Sequence, residues 1–417
     1  MSDKPTHTLS DLVSLVSDRT YGRKDSSLPY VGLEHMPSGG SRLSSSGSAE
    51  DSISTNSIFT EGDILFGKLR PRLRKCLRAL RRGYCSTDIL VLRPSPSVNP
   101  AFAAYVAQSE TVFAAAIRNE EGTKMPRCSW QSIKPTPVYL PANRHAQEKI
   151  ASILIHTDTA IEKTEALIEK YQQIKAGLMH DLFTRGVLPN GQLRPPRDQA
   201  PELYQETPIG WLPKEWRFTT CEAVCEQIID CKNRTPPETA DGFPVIRTPN
   251  VRNGEFVDVD LLHTDELSYR IWTMRGKPRI GDIVITREAP VGEVCMIPER
   301  HPATCLGQRM MLYRPNQELI SAKYFLYVLL SQQIQSRLDL ISGGSTVGHV
   351  RVGDIRSLWL FAPSDKAEQV KIADALDGAR QSINKETSQL LKLRQQKIGL
   401  MQDLLTGKVR VECKAED

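Results

Sequence analysis

The stretch Pro141–Val187, reading PANRHAQEKIASIL at 141–154 and KYQQIKAGLMHDLFTRGV at 170–187, decides the architecture because the chain contains it twice. A constant shift of 222 residues carries it, without a gap, onto Pro363–Val409, where the matching segments are PSDKAEQVKIADAL and KLRQQKIGLMQDLLTGKV. Shared positions include Gln147 with Gln369, Lys149-Ile150-Ala151 with Lys371-Ile372-Ala373, Gly177-Leu178-Met179 with Gly399-Leu400-Met401, and Asp181-Leu182 with Asp403-Leu404. Self-similarity of this length marks an internal duplication.

Each copy carries a seven-residue apolar stripe. In the first it runs through Ile150, Leu154, Ile161, Ile168, Tyr171, Leu178 and Leu182, and in the second through Ile372, Leu376, Ile383, Leu390, Leu393, Leu400 and Leu404. Such spacing keeps one seam of a helix facing a partner. The seam is imperfect, with Thr157, Thr164, Lys175, Ala379, Glu386 and Lys397 interrupting it. The spacing predicts helices from near Ala146 to Phe183 and from near Glu368 to Leu405. At about 1.5 Å per residue each is on the order of 57 Å long. The obvious partner of each copy is the other, packed antiparallel around a pseudo-two-fold axis.

The duplication extends upstream more faintly. Gly62-Asp63-Ile64 matches Gly281-Asp282-Ile283, Pro71 matches Pro290, Cys76 matches Cys295 and Arg93-Pro94 matches Arg314-Pro315, at shifts of 219 to 221. Loops that change length on a retained scaffold produce such drift. Strand signals lie at Asp63–Phe66, Asp88–Leu92, Asp282–Ile285 and Met310–Tyr313, and helical periodicity at Pro100–Ile117 and Ser321–Leu338. The expected fold is mixed α/β, with two duplicated globular domains joined by two long antiparallel coiled-coil helices. The divisions are a first domain at 1–140, a helix at 141–187, a linker at 188–216, a second domain at 217–361, a helix at 362–409 and a tail at 410–417. The Ser/Gly-rich run Ser38–Ser57 reads as an exposed loop, and the Pro and Gly of the linker argue against a helix or an internal strand.

Composition sets limits. A chain of 417 residues with 40% hydrophobic content can bury at least two cores. No run approaches 18 uncharged apolar residues and Met1–Leu15 lacks the form of a secretory signal, so a cytoplasmic protein without a membrane span is expected. Nine cysteines make an odd count, and Cys221, Cys225 and Cys231 lack the second knuckle that a zinc site needs. The net charge of +5 is mild, and its distribution matters more.

Gly62–Arg82, GDILFGKLRPRLRKCLRALRR, holds eight basic residues against Asp63 alone. If extended, it places Lys68, Arg70, Arg72 and Arg74 on one face, with Lys75 beside them. That face suits DNA phosphates, and guanidinium forks also match guanine O6 and N7. A solvated edge that resists aggregation is the plainer alternative. Lys124 and Arg127 form a second basic loop before Trp130, with Thr346 and His349 as less basic counterparts. In the second domain the candidate DNA contacts are Arg247, Asn250, Arg252, Arg287, Gln308 and Arg309, with Asn253, Arg275, Lys277 and Arg279 nearby in sequence. Different candidate readers in the two domains imply an asymmetric, two-part target. No Gly-rich cofactor loop, phosphate loop, methyltransferase tetrapeptide or paired-carboxylate nuclease motif is found, so no catalytic or metal residue is assigned.

These residues resemble the specificity subunits of type I restriction-modification systems. The resemblance rests on GDILFGKLRPRL at 62–73, GTKMPRCSW at 122–130, EKIASIL at 148–154, IGWLPKEW at 209–216, GDIVITREAPVGEV at 281–294 and GLMQDLLTGKV at 399–409. It implies two target-recognition domains, each reading one part of a split double-stranded DNA sequence, on two conserved helices that organise two methyltransferase subunits. S-adenosylmethionine would then sit on the methyltransferase subunits, and ATP and Mg2+ on restriction subunits. No cofactor would be bound by this chain. The first half lacks a clear copy of IGWLPKEW, which leaves the start of its domain undefined. The rival reading is a duplicated coiled-coil assembly protein that does not bind DNA.

Overall fold

A computed structural model describes residues 7–21, 25, 27–39, 42–43, 45–48, 54–343 and 348–411. The chain forms two compact units, one made of 1–167 with 386–417 and the other of 168–385. Both dividing points fall inside long helices.

Unit 1 is built on a four-stranded antiparallel sheet of β1 (Val13–Leu15), β2 (Ile64–Gly67), β3 (Cys76–Arg78) and β4 (Ile89–Pro94), in the order β1-β4-β2-β3. β2 reads as an unbroken apolar run because both its faces are covered. Ile64 and Phe66 enter a core with the helices Pro100–Ala107 and Glu110–Arg118, while Leu65 joins a second core with Val31, Phe59 and Val91. The helical periodicity at 100–117 thus resolves into two helices. Ser109 ends the first by capping the second, its Oγ accepting from Val112 N. Behind this sheet Pro29–Val31 pairs in parallel with Gly83–Ser86.

Unit 2 repeats the plan. β5 (Cys225–Asp230), β6 (Ile283–Arg287), β7 (Val291–Met296) and β8 (Met310–Pro315) form an antiparallel sheet in the order β5-β8-β6-β7, equivalent strand for strand to unit 1. Ile283 and Ile285 again face one core and Val284 another. Phe243–Ile246 pairs in parallel with Cys305–Leu306, as the corresponding strands do in unit 1. The segment 321–338 also forms two helices, Ala322–Leu329 and Gln332–Ile341.

The long helices are α1 (Arg144–Thr184) and α2 (Lys366–Leu404), of 41 and 39 residues. Within each unit they pair antiparallel. In unit 1, Ile150 and Leu154 share a core with Leu404 and Leu405, with Leu400 and Met401 against it. One turn further along α1, Asp158 takes Lys397 Nζ at 2.6 Å, and Glu165 then meets Arg394 at 2.7 Å. In unit 2, Leu182 and Phe183 share a core with Ile372, Ala373 and Leu376, and Leu178 packs against it. The remaining seam residues, Ile161, Leu390 and Leu393 in unit 1 and Ile168, Tyr171 and Ile383 in unit 2, are half-buried.

Two expectations change. Residues 188–216 are not a free connector. They contain a hairpin of Tyr204–Thr207 with Gly210–Pro213, and Trp216–Thr220 pairs with Trp359–Pro363. Turn-rich sequence favours an isolated hairpin because both its strands are edges. Arg194 from this segment is buried with its Nη2 3.0 Å from Glu368 Oε2, and Trp216 Nε1 donates to the same carboxylate. Gly186 ends α1 at φ 64°, where a Cβ would collide with Glu368 and Arg194. The Ser/Gly-rich run also supplies strands, Gly47–Ser48 and Asn56–Phe59, although 40–41, 44 and 49–53 lie outside the described residues. Gly344, Ser345 and Thr346 lie outside them too, as does 412–417 of the tail.

Candidate nucleic-acid interface

The basic stretch after β2 is not an extended ribbon. Arg70 adopts φ 51° and Arg74 φ 52°, and between them Pro71–Leu73 forms a turn of 3-10 helix. Pro71 lacks the N–H that a ladder needs and starts the turn instead. The expected single face of four cations is therefore absent. Arg72 is drawn onto Glu120 at 2.7 Å, and Arg74 onto Glu110 at 2.6 Å with its guanidinium 5.6 Å from the Phe113 ring centre. Lys75 Nζ donates to the Leu33 carbonyl. Arg70 and Lys124 are exposed and form no ion pair among the described residues.

What unit 1 does bring together is the end of β2, the start of β4 and the loop before Trp130. Lys68 N donates to Asp88 O, Cys128 N to Lys68 O, and Arg70 N to Pro126 O at 2.7 Å. Arg127 crosses this junction and places Nε 3.0 Å from Asp88 Oδ1. That hydrogen bond, with the carboxylate charge, holds the guanidinium above its ordinary pKa. Burial pushes the neighbouring Cys128 thiol up to about 11, so it stays protonated at neutral pH.

Unit 2 builds the same junction from β6, β8 and the loop before Val352–Arg356. Arg287 N donates to Arg309 O at 2.8 Å and Val350 N to Arg287 O at 3.1 Å, while Glu288 bridges to His349 as Leu69 bridges to Arg127. The charges differ. Glu288 forms an ion pair with Arg309, its Oε2 3.1 Å from Nε, and its Oε1 lies 2.6 Å from His349 Nδ1. Arg287 is almost wholly buried, 3.9 Å from Asp230, which also takes Arg275 at 3.1 Å. These groups line a polar cleft of about 600 Å³, with Asn233, Gln308 and Arg351 on its walls.

Of the candidates in this domain, the cleft gathers Arg287, Gln308 and Arg309. Asn250 is fully buried and is corrected to a structural role. Its Oδ1 accepts from Arg247 N and its Nδ2 donates to Val257 O and Val259 O. Arg247 spends Nη2 on the Asp260 carbonyl, and Arg252 is exposed on the separate strand pair Val251–Arg252 and Glu255–Phe256. Asn233, Glu288 and Arg351 escape sequence reasoning. The match of His349 to Arg127 is the one signal that points toward them.

The protein is thus a duplicated α/β scaffold on paired long helices, with a cluster of cations and carboxylates at the same strand junction in both halves. Residues 213–393 match the family described as the type I restriction modification DNA specificity domain. A putative type I restriction enzyme specificity subunit, MjaX, of Methanocaldococcus jannaschii is 24% identical over 275 residues, covering 64% of this chain and 58% of that one. The MjaVIII specificity subunit of the same organism is 22% identical over 299 residues, covering 70% and 66%. The match therefore spans less than two thirds of either relative. Among solved structures, the type I restriction-modification S subunit from M. genitalium aligns over 96% of this chain and 95% of its own, at a TM-score of 0.59 and 14% identity. A chain from a study of type I R-M complex assembly and conformational transition aligns over 96% and 98%, at 0.55 and 16%. At such identities these two likenesses speak to fold. Over these spans the chain is similar to specificity subunits of type I restriction-modification systems. No helix among the described residues is long and apolar enough to cross a membrane.

Proposed function

We infer that this chain is the DNA-reading, non-catalytic subunit of a type I restriction-modification complex and recognises a bipartite, asymmetric duplex target, one part per half. The observation that carries this reading is the repeated junction, built on identical strand order but furnished with different charged side chains. Phosphate contacts would position each half and side chains would read base edges, while the two long helices set the number of unread base pairs. Lys68, Arg70, Lys124 and Arg127 are the contacts assigned to the first half, and Gln308 and Arg309 to the second, with Arg287 buried behind them against Asp230. The chain would act in the cytoplasm with two methyltransferase subunits, which carry S-adenosylmethionine, and with restriction subunits that use ATP and Mg2+. The base to be modified would be turned out of the duplex in a partner's active site.

Mobility-shift binding by the chain assembled with its methyltransferase subunits tests the reading. Sequence-specific retention that needs both half-sites at one spacing is the expected result. Retention indifferent to sequence rejects it in favour of an assembly protein. A heptad inserted into α1 alone is expected to change the preferred spacing or the folding, and unchanged preference and stability would remove the helices from their spacing role.

A further inference from the structure

The geometry points to Arg309 as the side chain that reads a guanine in the second half-site, held back by Glu288 until that base is met. This rests on the DNA-reading function inferred above. Arg309 has φ 70°, a left-handed conformation that costs an L residue with a Cβ and that glycine adopts freely. The backbone there is pinned from both sides. Its carbonyl accepts from Arg287 N, and the next residue, Met310, opens β8 opposite Thr286. A strained position is a reasonable place for a residue kept for its side chain.

The one ion pair it makes among the described residues does not explain the arginine. Glu288 is already met by His349 at 2.6 Å, so the carboxylate keeps a partner when Arg309 leaves. The guanidinium is 44% exposed at the mouth of the cleft, where Asn233 and Gln308 supply neutral polar groups and Arg351 a further cation. A planar fork released from one carboxylate is complementary to an acceptor pair such as guanine O6 and N7. Glu288 then acts as a competitor. It weakens contact with phosphates in general, and yields where a correctly placed base edge offers two acceptors at once. The first half lacks this device: the position equivalent to Arg309, just before β4, is Asp88, and Leu69 stands where the second half has Glu288.

The test selects bound duplexes from a randomised bipartite library, using the full chain assembled with its methyltransferase subunits. Arg309→Lys keeps the charge and loses the fork. It is expected to lower discrimination at one base pair of the second half-site by about 5- to 150-fold while leaving the first half-site and the salt slope unchanged. Arg309→Gly is expected to lose the same discrimination with no fall in Tm, since glycine relieves the backbone. Glu288→Gln is expected to raise affinity for unrelated duplex. An intact motif in both Arg309 variants, or a motif altered only because Arg309→Gly unfolds, overturns the assignment. A wild-type complex that enriches no motif overturns the DNA-reading function itself, which separates the two failures.

Discussion

The two halves use one backbone junction with two distributions of charge, and the contrast separates scaffold from function. Corresponding positions bridge in the same way, Leu69 to Arg127 and Glu288 to His349, yet the carboxylate comes from the start of β4 in unit 1 and from the residue after β6 in unit 2. Behind the junctions the same division recurs. Asp63 with Arg93 and Asp282 with Arg314 are equivalent two-pronged ion pairs, but Arg93 is 43% exposed whereas Arg314 is 10% exposed. The folding element was retained while its surroundings diverged.

The largest break in this comparison lies at Glu368, whose counterpart in the first copy is Ala146. In unit 2 the Glu368 carboxylate satisfies buried Arg194, Trp216 Nε1 and Val187 N. Removing one partner of a buried pair strands the other charge. Glu368→Ala is expected to cost about 3–5 kcal/mol in denaturant unfolding, and a cost below about 1 kcal/mol would show that the network does not hold unit 2 together. The equivalent ion pairs give a graded version. Asp282→Ala is expected to cost about 3–5 kcal/mol because Arg314 stays buried, and Asp63→Ala about 1.5–3 kcal/mol because Arg93 reaches water. Equal costs would mean that burial does not distinguish the halves.

A smaller effect concerns DNA. Changing Arg70 and Arg72 together to Ala is expected to weaken the first half-site by about 1–3 kcal/mol and to lower the salt slope by roughly 1–2. Since Arg72 is paired with Glu120, most of the loss should follow Arg70, and the single variants decide this. Unchanged affinity and slope would remove both residues from the interface.

The smallest expected effect is the pH dependence that Asp377 adds to unit 2. Burial works to raise the Asp377 pKa, but hydrogen bonds from Tyr327 and Lys323 and the Arg380 charge hold it below the usual carboxylate range. A depressed folded pKa adds stability above the ordinary carboxylate pKa, and that stability is lost as pH falls through the folded value. Asp377→Asn is therefore expected to flatten the acid limb of the stability curve. Ile155 stands at the matching position of α1, so its substitution should leave that limb unchanged.

Much of the fold is legible in the sequence because the long helices advertise themselves through a seven-residue stripe and a gapless repeat. The strands at Ile64 and Ile283 are equally plain, since burial on both faces leaves no polar residue within Ile64-Leu65-Phe66 or Ile283-Val284-Ile285. The site is less so. Alternation of Lys68, Arg70, Arg72 and Arg74 suggests a strand, but two left-handed arginines flanking Pro71 overrule the period, and backbone handedness at arginine has no sequence signature. Asn250 looks like a base reader by residue type, yet its side chain is spent within its own loop, on Arg247 N and the Val257 and Val259 carbonyls, and residue type alone does not announce that closure.

Unit 1 is assembled from two stretches of chain separated by all of unit 2. Its core takes Leu404 and Leu405 against Ile150 and Leu154, which were synthesised some 250 residues earlier. A nascent or prematurely ended chain lacking α2 must leave that apolar groove open to water, however well β1 to β4 have formed. Synthesis of α2 is thus the step that closes the core of unit 1, and any chain that stops short of it exposes apolar surface of the kind that promotes aggregation.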